Sequence, residues 1–228
     1  EVLGRFGIRA AWIDKNTLKI FGNQRYQPTD LRVEGDYSGA AFFGLLGALS
    51  GAVDCRGLCI PSAQGDAVFF ELLRCFGARV LPLADGFRVE AAPLQGGVID
   101  LEDCPDLGPA AMVLGCFAAG ETRLLHAGRL RYKESDRIAA MEQELTKFGF
   151  CVRSSENEIV ISGRHTPLAQ QTLCISSHND HRIAMSLAVC GAALGVPLTV
   201  TDASVVAKSY PAFFDDLRCA GIAVEVVE

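Results

Sequence analysis

Between positions 129 and 137 the sequence Arg-Leu-Arg-Tyr-Lys-Glu-Ser-Asp-Arg sets four cations, Arg129, Arg131, Lys133 and Arg137, beside two carboxylates, Glu134 and Asp136. A short apolar stretch, Thr122–His126, precedes it and reads as a strand. The run that follows has apolar residues at helical spacing: Ile138, Met141, Leu145 and Phe148. Cations and backbone N–H groups gathered at a helix N-terminus bind anions, phosphate above all. A carboxylic acid among them adds the means to move a proton. The same residues would also make a plain solvated helix start, with Ser135 as N-cap and ion pairs along the helix. A second polar stretch, Ser177-His-Asn-Asp-His-Arg182, puts His178 and His181 three residues apart. No third ligand lies at a recognisable spacing, so no metal is expected. Walker-type and dinucleotide-type glycine loops are absent, and no local motif favours a Ser-His-Asp arrangement.

The elements that would position these residues emerge from a long internal repeat. Gly7, Gly77, Gly149 and Gly221 recur at intervals of 70 or 72 residues, each after an amphipathic helix end and before an apolar strand. A glycine in the left-handed C′ position is the ordinary way to end such a helix. Asp36, Asp106 and Asp180 recur in the same phase, each before an Ala-rich helix. The period predicts a unit copied three times, of order strand, helix, strand, helix, β-hairpin. In the first copy (31–92) these are Leu31–Glu34, Ser38–Ser50, Ala52–Leu58, Gln64–Phe76 and a hairpin over Arg79–Glu90 that turns at Asp85-Gly86. The second copy spans 97–163, with its hairpin turn near Glu156-Asn157, and the third spans 172–228, its last strand ending at Val227. Alternating strands and helices place the chain in the α/β class. Residues 1–30 carry only the tail of such a unit, a helix end and a Lys15-Asn16 hairpin. They are expected to finish another domain, with Asn23–Thr29 as the connection.

Three copies around a pseudo-threefold axis would gather equivalent loops at one end. The loops before the second helices are Ile60–Asp66, Arg129–Arg137 and Val206–Pro211. Those before the first helices carry Asp36, Asp106 and Asp180–Arg182. Together they supply an imidazole, several cations and a few carboxylates, as a site for small anions requires. Each residue also has a plainer use: the three aspartates suit N-caps, Lys208 a surface, and Pro211 the first turn of a helix.

Composition narrows the class. The net charge of −6 argues against a nucleic-acid partner, whereas a small anionic substrate needs only local charge. Nine cysteines occur without a C-x-x-C. Cys75, Cys116, Cys190 and Cys219 fall in apolar helical patterns and are expected to be buried, free thiols, which points to a reducing cytoplasm. No apolar run is long enough to cross a bilayer, and no membrane partner is expected.

Arg129-Leu-Arg-Tyr-Lys-Glu-Ser-Asp-Arg137 and Asn179-Asp-His-Arg-Ile-Ala-Met185 resemble the two signature stretches of the 5-enolpyruvylshikimate-3-phosphate synthases. Val33–Asp36, Gln64–Asp66, Cys104–Asp106 and Ala207–Pro211 resemble that family in the same order, so the likeness covers essentially the whole chain. It implies a fold of two domains, each of three βαβαββ units in an inside-out α/β barrel, of which this chain would be the C-terminal half. The missing N-terminal half, with its Lys-Ser motif, its phosphoenolpyruvate loop and its Ser-Ser-Gln stretch, would be the natural partner, and an open–closed transition would be gated near Asn23–Asp36. The implied reaction transfers the enolpyruvyl group of phosphoenolpyruvate to the 5-hydroxyl of shikimate 3-phosphate, without metal or organic cofactor. By the same resemblance Asp106 accepts the hydroxyl proton. Glu134 protonates the methylene carbon, and Arg137 and Arg182 clamp phosphoenolpyruvate. Lys208 stands near its phosphate, Lys133 binds shikimate 3-phosphate and His181 neighbours the phosphoenolpyruvate site. Arg129 stands where members vary and receives no role. Two other readings remain: a non-catalytic anion-binding domain, and the related UDP-N-acetylglucosamine enolpyruvyl transferase, whose loop cysteine is not evident here.

Overall fold

In the computed structural model, which describes residues 1–163 and 172–225, all four repeat-marking glycines adopt the left-handed region: φ is 75° at Gly7, 107° at Gly77, 86° at Gly149 and 90° at Gly221. Each ends a helix by letting the chain reverse without the penalty a Cβ would bring. Two units are compact in themselves, residues 1–34 and the chain from Gly35 onward.

The first unit holds one helical turn, α1 (Val2–Arg5), and an antiparallel hairpin, β1 (Ala10–Asp14) and β2 (Thr17–Ile20), turning at Lys15-Asn16 as expected. The strand expected at Leu31–Glu34 is not formed. An extended segment becomes a strand only through a ladder, and these residues have no ladder partner among the described residues; Val33 is left exposed.

The second unit is built as three successive copies. The first comprises α2 (Tyr37–Ser50), β3 (Ala52–Arg56), α3 (Val68–Cys75), β4 (Arg79–Leu83) and β5 (Gly86–Glu90). Its strands form an antiparallel sheet ordered β3-β5-β4, and Gly65–Ala67 make a 3-10 turn where the sequence had suggested the start of α3. The second copy comprises β6 (Val98–Asp100), α4 (Gly108–Phe117), β7 (Glu121–Leu125), α5 (Arg137–Lys147), β8 (Cys151–Ser154) and β9 (Glu158–Ser162). Here the order is β6-β7-β9-β8, with β6 parallel to β7 and the other pairs antiparallel. The third copy has β10 (Leu173–Ser176), α6 (His181–Leu194), β11 (Leu198–Thr201) and α7 (Phe213–Cys219), with β10 parallel to β11. Its expected hairpin does not form over Ile222–Glu225, and the end of that hairpin, at 226–228, lies outside the described residues. Among the described residues, the second copy alone shows the whole βαβαββ order.

The first helix of each copy lies inside. Helices α2, α4 and α6 pack against one another. They bury ten, nine and nine of their residues respectively. A helix that is apolar around its whole circumference can be stable only when covered on all sides. The second helices are amphipathic and cover the outside: α5 turns Ile138, Met141 and Leu145 inward, and Phe148, just past its end, is buried with them. This division corrects the cysteine expectation. Cys116 and Cys190, on inner helices, are buried, and burial pushes both thiols up. Cys75 and Cys219 end the outer helices α3 and α7 and are exposed. No helix among the described residues is long and apolar enough to cross a membrane.

Candidate active site

The three recurring aspartates, equivalent in sequence, do different things. Asp36 caps α2 by accepting from the N–H groups of Ser38 and Gly39, and Asp180 caps α6 by accepting from that of Arg182. Asp106 caps nothing. It sits in a 3-10 turn, Pro105–Leu107, and the residue three positions on is Pro109, which has no N–H to donate. Its carboxylate is instead met by three cations. Lys133 Nζ lies 3.1 Å from Oδ1, Arg137 Nη1 2.9 Å from Oδ1, and Arg182 Nη2 3.4 Å from Oδ2. Arg182 Nη1 also donates to the Asp106 carbonyl at 3.3 Å. Burial opposes the Asp106 charge, but Arg182, Lys133 and Arg137 outweigh it and hold the carboxyl below its ordinary range.

The four-cation stretch is divided by the turn it adopts. Ala127–Tyr132 form a 3-10 turn in which Leu130 is buried. Arg129 donates to the Glu102 carbonyl at 3.2 Å, and Arg131 to the Ser155 carbonyl at 2.8 Å, so both are spent on neighbouring loops. Lys133 and Arg137 face Asp106. The N-cap of α5 is Asp136, not Ser135: its Oδ1 accepts from Ile138 N at 3.1 Å and Ala139 N at 3.0 Å. The free N–H groups of this helix start are therefore already taken, and the capacity for anions lies in side-chain cations.

Glu134 forms a second cluster. Its Oε1 lies 2.6 Å from Lys208 Nζ, and its Oε2 lies 2.9 Å from His181 Nδ1. Burial works to raise its pKa, yet the Lys208 hydrogen bond and the His181 and Lys208 charges hold it below the usual carboxylate range. Lys208 closes a 3-10 turn, Ala203–Lys208, and α7 starts only at Phe213, so Pro211 precedes the helix and is not in its first turn.

Between the two clusters lies Arg137, almost wholly buried. Its Nε donates to Asp180 Oδ2 at 2.8 Å and its Nη2 to Oδ1 at 3.3 Å, while Nη1 reaches Asp106. Ser135 Oγ donates to the same Asp180 at 3.2 Å. Asp180 is thus a cap and also the anchor of Arg137, a second use that its sequence position did not reveal. Glu134, Asp180 and His181 converge closely enough to hold a metal in geometry, but Lys208 and Arg137 already stand against the two carboxylates. His178 does not join them; its Nε2 meets Glu144 at 3.0 Å. In the first copy, Gln64 and Asp66 complete the equivalent loop. Gln64 accepts from Tyr37 N at 2.9 Å and donates to the Gly35 carbonyl at 2.9 Å, and Asp66 is bonded by Ser38 Oγ. Burial raises the Asp66 carboxyl above its ordinary range despite Ser38 and the nearby Arg182.

The expected residues Asp106, Lys133, Glu134, Arg137, His181, Arg182 and Lys208 are thus brought together as two neighbouring clusters by loops of the second and third copies. One carboxylate met by three cations and another met by a lysine and an imidazole form a site where anions could compete for the same cations and exchange protons with the carboxylates.

Known proteins resemble this chain in sequence and in fold. The protein-family model for EPSP synthase (3-phosphoshikimate 1-carboxyvinyltransferase) matches residues 1–217. A 3-phosphoshikimate 1-carboxyvinyltransferase of Clostridium kluyveri is 36% identical over 221 residues, covering 97% of this chain and 51% of the relative. One from Methanopyrus kandleri is 38% identical over 228 residues, covering 100% and 52%. The chain spans about half the length of these curated relatives. An EPSP synthase structure from Acinetobacter baumannii superposes with a TM-score of 0.82 at 29% identity, over 99% of this chain and 54% of that one. The enolpyruvyl transferase NikO from Streptomyces tendae shares the fold, with a TM-score of 0.77 at 21% identity, over 98% and 52%.

Proposed function

This chain belongs to the EPSP synthase family, and from that premise we propose that it carries one half of a site that moves the enolpyruvyl group of phosphoenolpyruvate onto the 5-hydroxyl of shikimate 3-phosphate. The relatives it matches are named for that transfer. The observation that carries the reading is the release of Asp106 from capping: it is free to face Lys133, Arg137 and Arg182 while Glu134 faces Lys208 and His181.

In this reading the multiply charged substrates displace the carboxylates as partners of those cations. Arg182 and Arg137 hold phosphoenolpyruvate, Lys208 its phosphate, Lys133 shikimate 3-phosphate, and His181 borders the donor. Asp106 takes the proton of the 5-hydroxyl as its oxygen attacks the central carbon of the enol, and Glu134 delivers a proton to the methylene carbon. Glu134 then takes a proton back from that carbon as phosphate leaves, and the proton held by Asp106 passes to the departing phosphate, which restores both carboxyl groups. In the substrate-free arrangement Lys208 and His181 keep Glu134 ionised. Donating a proton therefore requires that Lys208 turn to the substrate phosphate and that water leave, which raises the carboxyl's pKa. Closure against the complementary N-terminal half would supply that exclusion, with residues 1–30 as the end of the other domain. The cytoplasm is the compartment in which we place it.

Glu134→Gln in the protein assembled from both halves tests the assignment. Phosphate release is expected to fall at least a hundredfold while binding of shikimate 3-phosphate changes by less than threefold. An unchanged rate would remove Glu134 from the reaction. The chain alone is expected to bind anions without turnover, since half of the family's length is absent from it.

A further inference from the structure

The turn that delivers His181 and Arg182 to the site is held from behind. Residues 177–180 pass from β10 to α6 through two consecutive left-handed residues, His178 at φ 50° and Asn179 at φ 56°. Neither is glycine, and such a pair persists only where surrounding contacts fix it. Ser176 Oγ accepts from His178 N at 3.0 Å and Ser177 Oγ from Asn179 N at 3.2 Å, which shapes the turn but does not place it. Its placement comes from α5. Glu144, fully buried, accepts from Ser176 N at 3.1 Å through Oε2 and meets His178 Nε2 at 3.0 Å through Oε1. Lys147, one helical turn on, lies 2.7 Å from Glu144 Oε2 and donates to the Cys174 carbonyl at 3.2 Å.

We infer that Glu144 is a positioning residue: its carboxylate fixes the Ser176–His178 turn and thereby sets His181 against Glu134 and Arg182 against Asp106. The logic is geometric. The start of α5 carries Lys133, Glu134 and Arg137 or immediately follows them, and the end of the same helix carries the carboxylate that grips the turn. One helix, with the bend that leads into it, therefore braces both partners of the Glu134–His181 pair at 2.9 Å. A buried carboxylate with three donors is costly to disturb, and losing it strands a backbone N–H and an imidazole. The consequence for turnover rests on the function proposed above; the consequence for His181 does not.

The test compares Glu144→Gln, Glu144→Ala and His178→Asn in the chain as it stands. Gln can accept from Ser176 N and donate to the His178 ring. Asn tolerates the left-handed turn but is too short to bridge to Glu144. The readout is the imidazole resonances of His181, one of four histidines. Glu144→Ala and His178→Asn are expected to move them, and Glu144→Gln to leave them near the parent positions. In the protein assembled from both halves, Glu144→Ala should raise KM for phosphoenolpyruvate about tenfold and change KM for shikimate 3-phosphate less than twofold. If Glu144→Ala does not fold, His178→Asn carries the test. Unmoved His181 resonances in the folded variants, or equal changes in both KM values, would overturn the positioning role. Shifted resonances in a protein with no turnover in any form would sink the proposed function and leave the positioning role standing.

Discussion

Arg137 and Asp180 are a charge pair withdrawn from water, with 3% and 0% of their side-chain surface left exposed. Such a pair contributes little net stability compared with an apolar replacement, but removing Asp180 leaves the buried Arg137 with Asp106 alone as its counter-charge. Asp180→Asn keeps the cap of α6 and removes the charge; it should destabilise the fold by about 3 kcal/mol in urea unfolding. Adding Arg137→Met should recover part of that loss. A single-mutant effect below about 1 kcal/mol would mean that the pair behaves as a surface ion pair. At this scale the sequence was informative where chemistry is local. Pro109 already forbids Asp106 from capping through the N–H three residues on, so the odd aspartate could have been picked out from the sequence. What the sequence could not reveal is the fate of Arg129 and Arg131. The carbonyls that take them, on Glu102 and Ser155, come from loops distant in sequence.

Among the elements, the helix–glycine–strand junctions are the parts whose form follows most directly from residue type. Gly77 and Gly221 share a positive φ, but their surroundings differ. A Cβ on Gly77 would stand 2.8 Å from the Pro93 carbonyl, whereas one on Gly221 would meet nothing within 4 Å among the described residues. Gly221→Ala should therefore cost only the left-handed penalty, about 1–2 kcal/mol, and Gly77→Ala should cost more. Thermal unfolding of the two variants checks the order, and equal losses would contradict the account. The long period predicted these junctions because helix ends and left-handed glycines are local. It failed for Leu31–Glu34 and over Ile222–Glu225 because a strand depends on a ladder partner, which local sequence does not specify. Cys75 and Cys219 failed for a related reason: which side of an amphipathic helix is the outer one depends on how the copies pack.

As a whole the molecule combines a net charge of −6 with a cluster of cations around two carboxylates. Bulk charge and the site's cations are opposite in sign, so anion recognition as proposed would rest on a few short contacts more than on long-range attraction. All the residues assigned to the site lie in the unit that starts at Gly35, and the chain spans 51% or 52% of the relatives named above. The proposed site is therefore expected to be half assembled here and completed by the N-terminal half. The most direct measurement is phosphate release from phosphoenolpyruvate and shikimate 3-phosphate by this chain, with and without the complementary N-terminal half supplied in trans. No release is expected from the chain alone, and steady release once the two halves are combined. Silence from the combined halves, with both shown to be folded and bound to each other, would contradict that expectation.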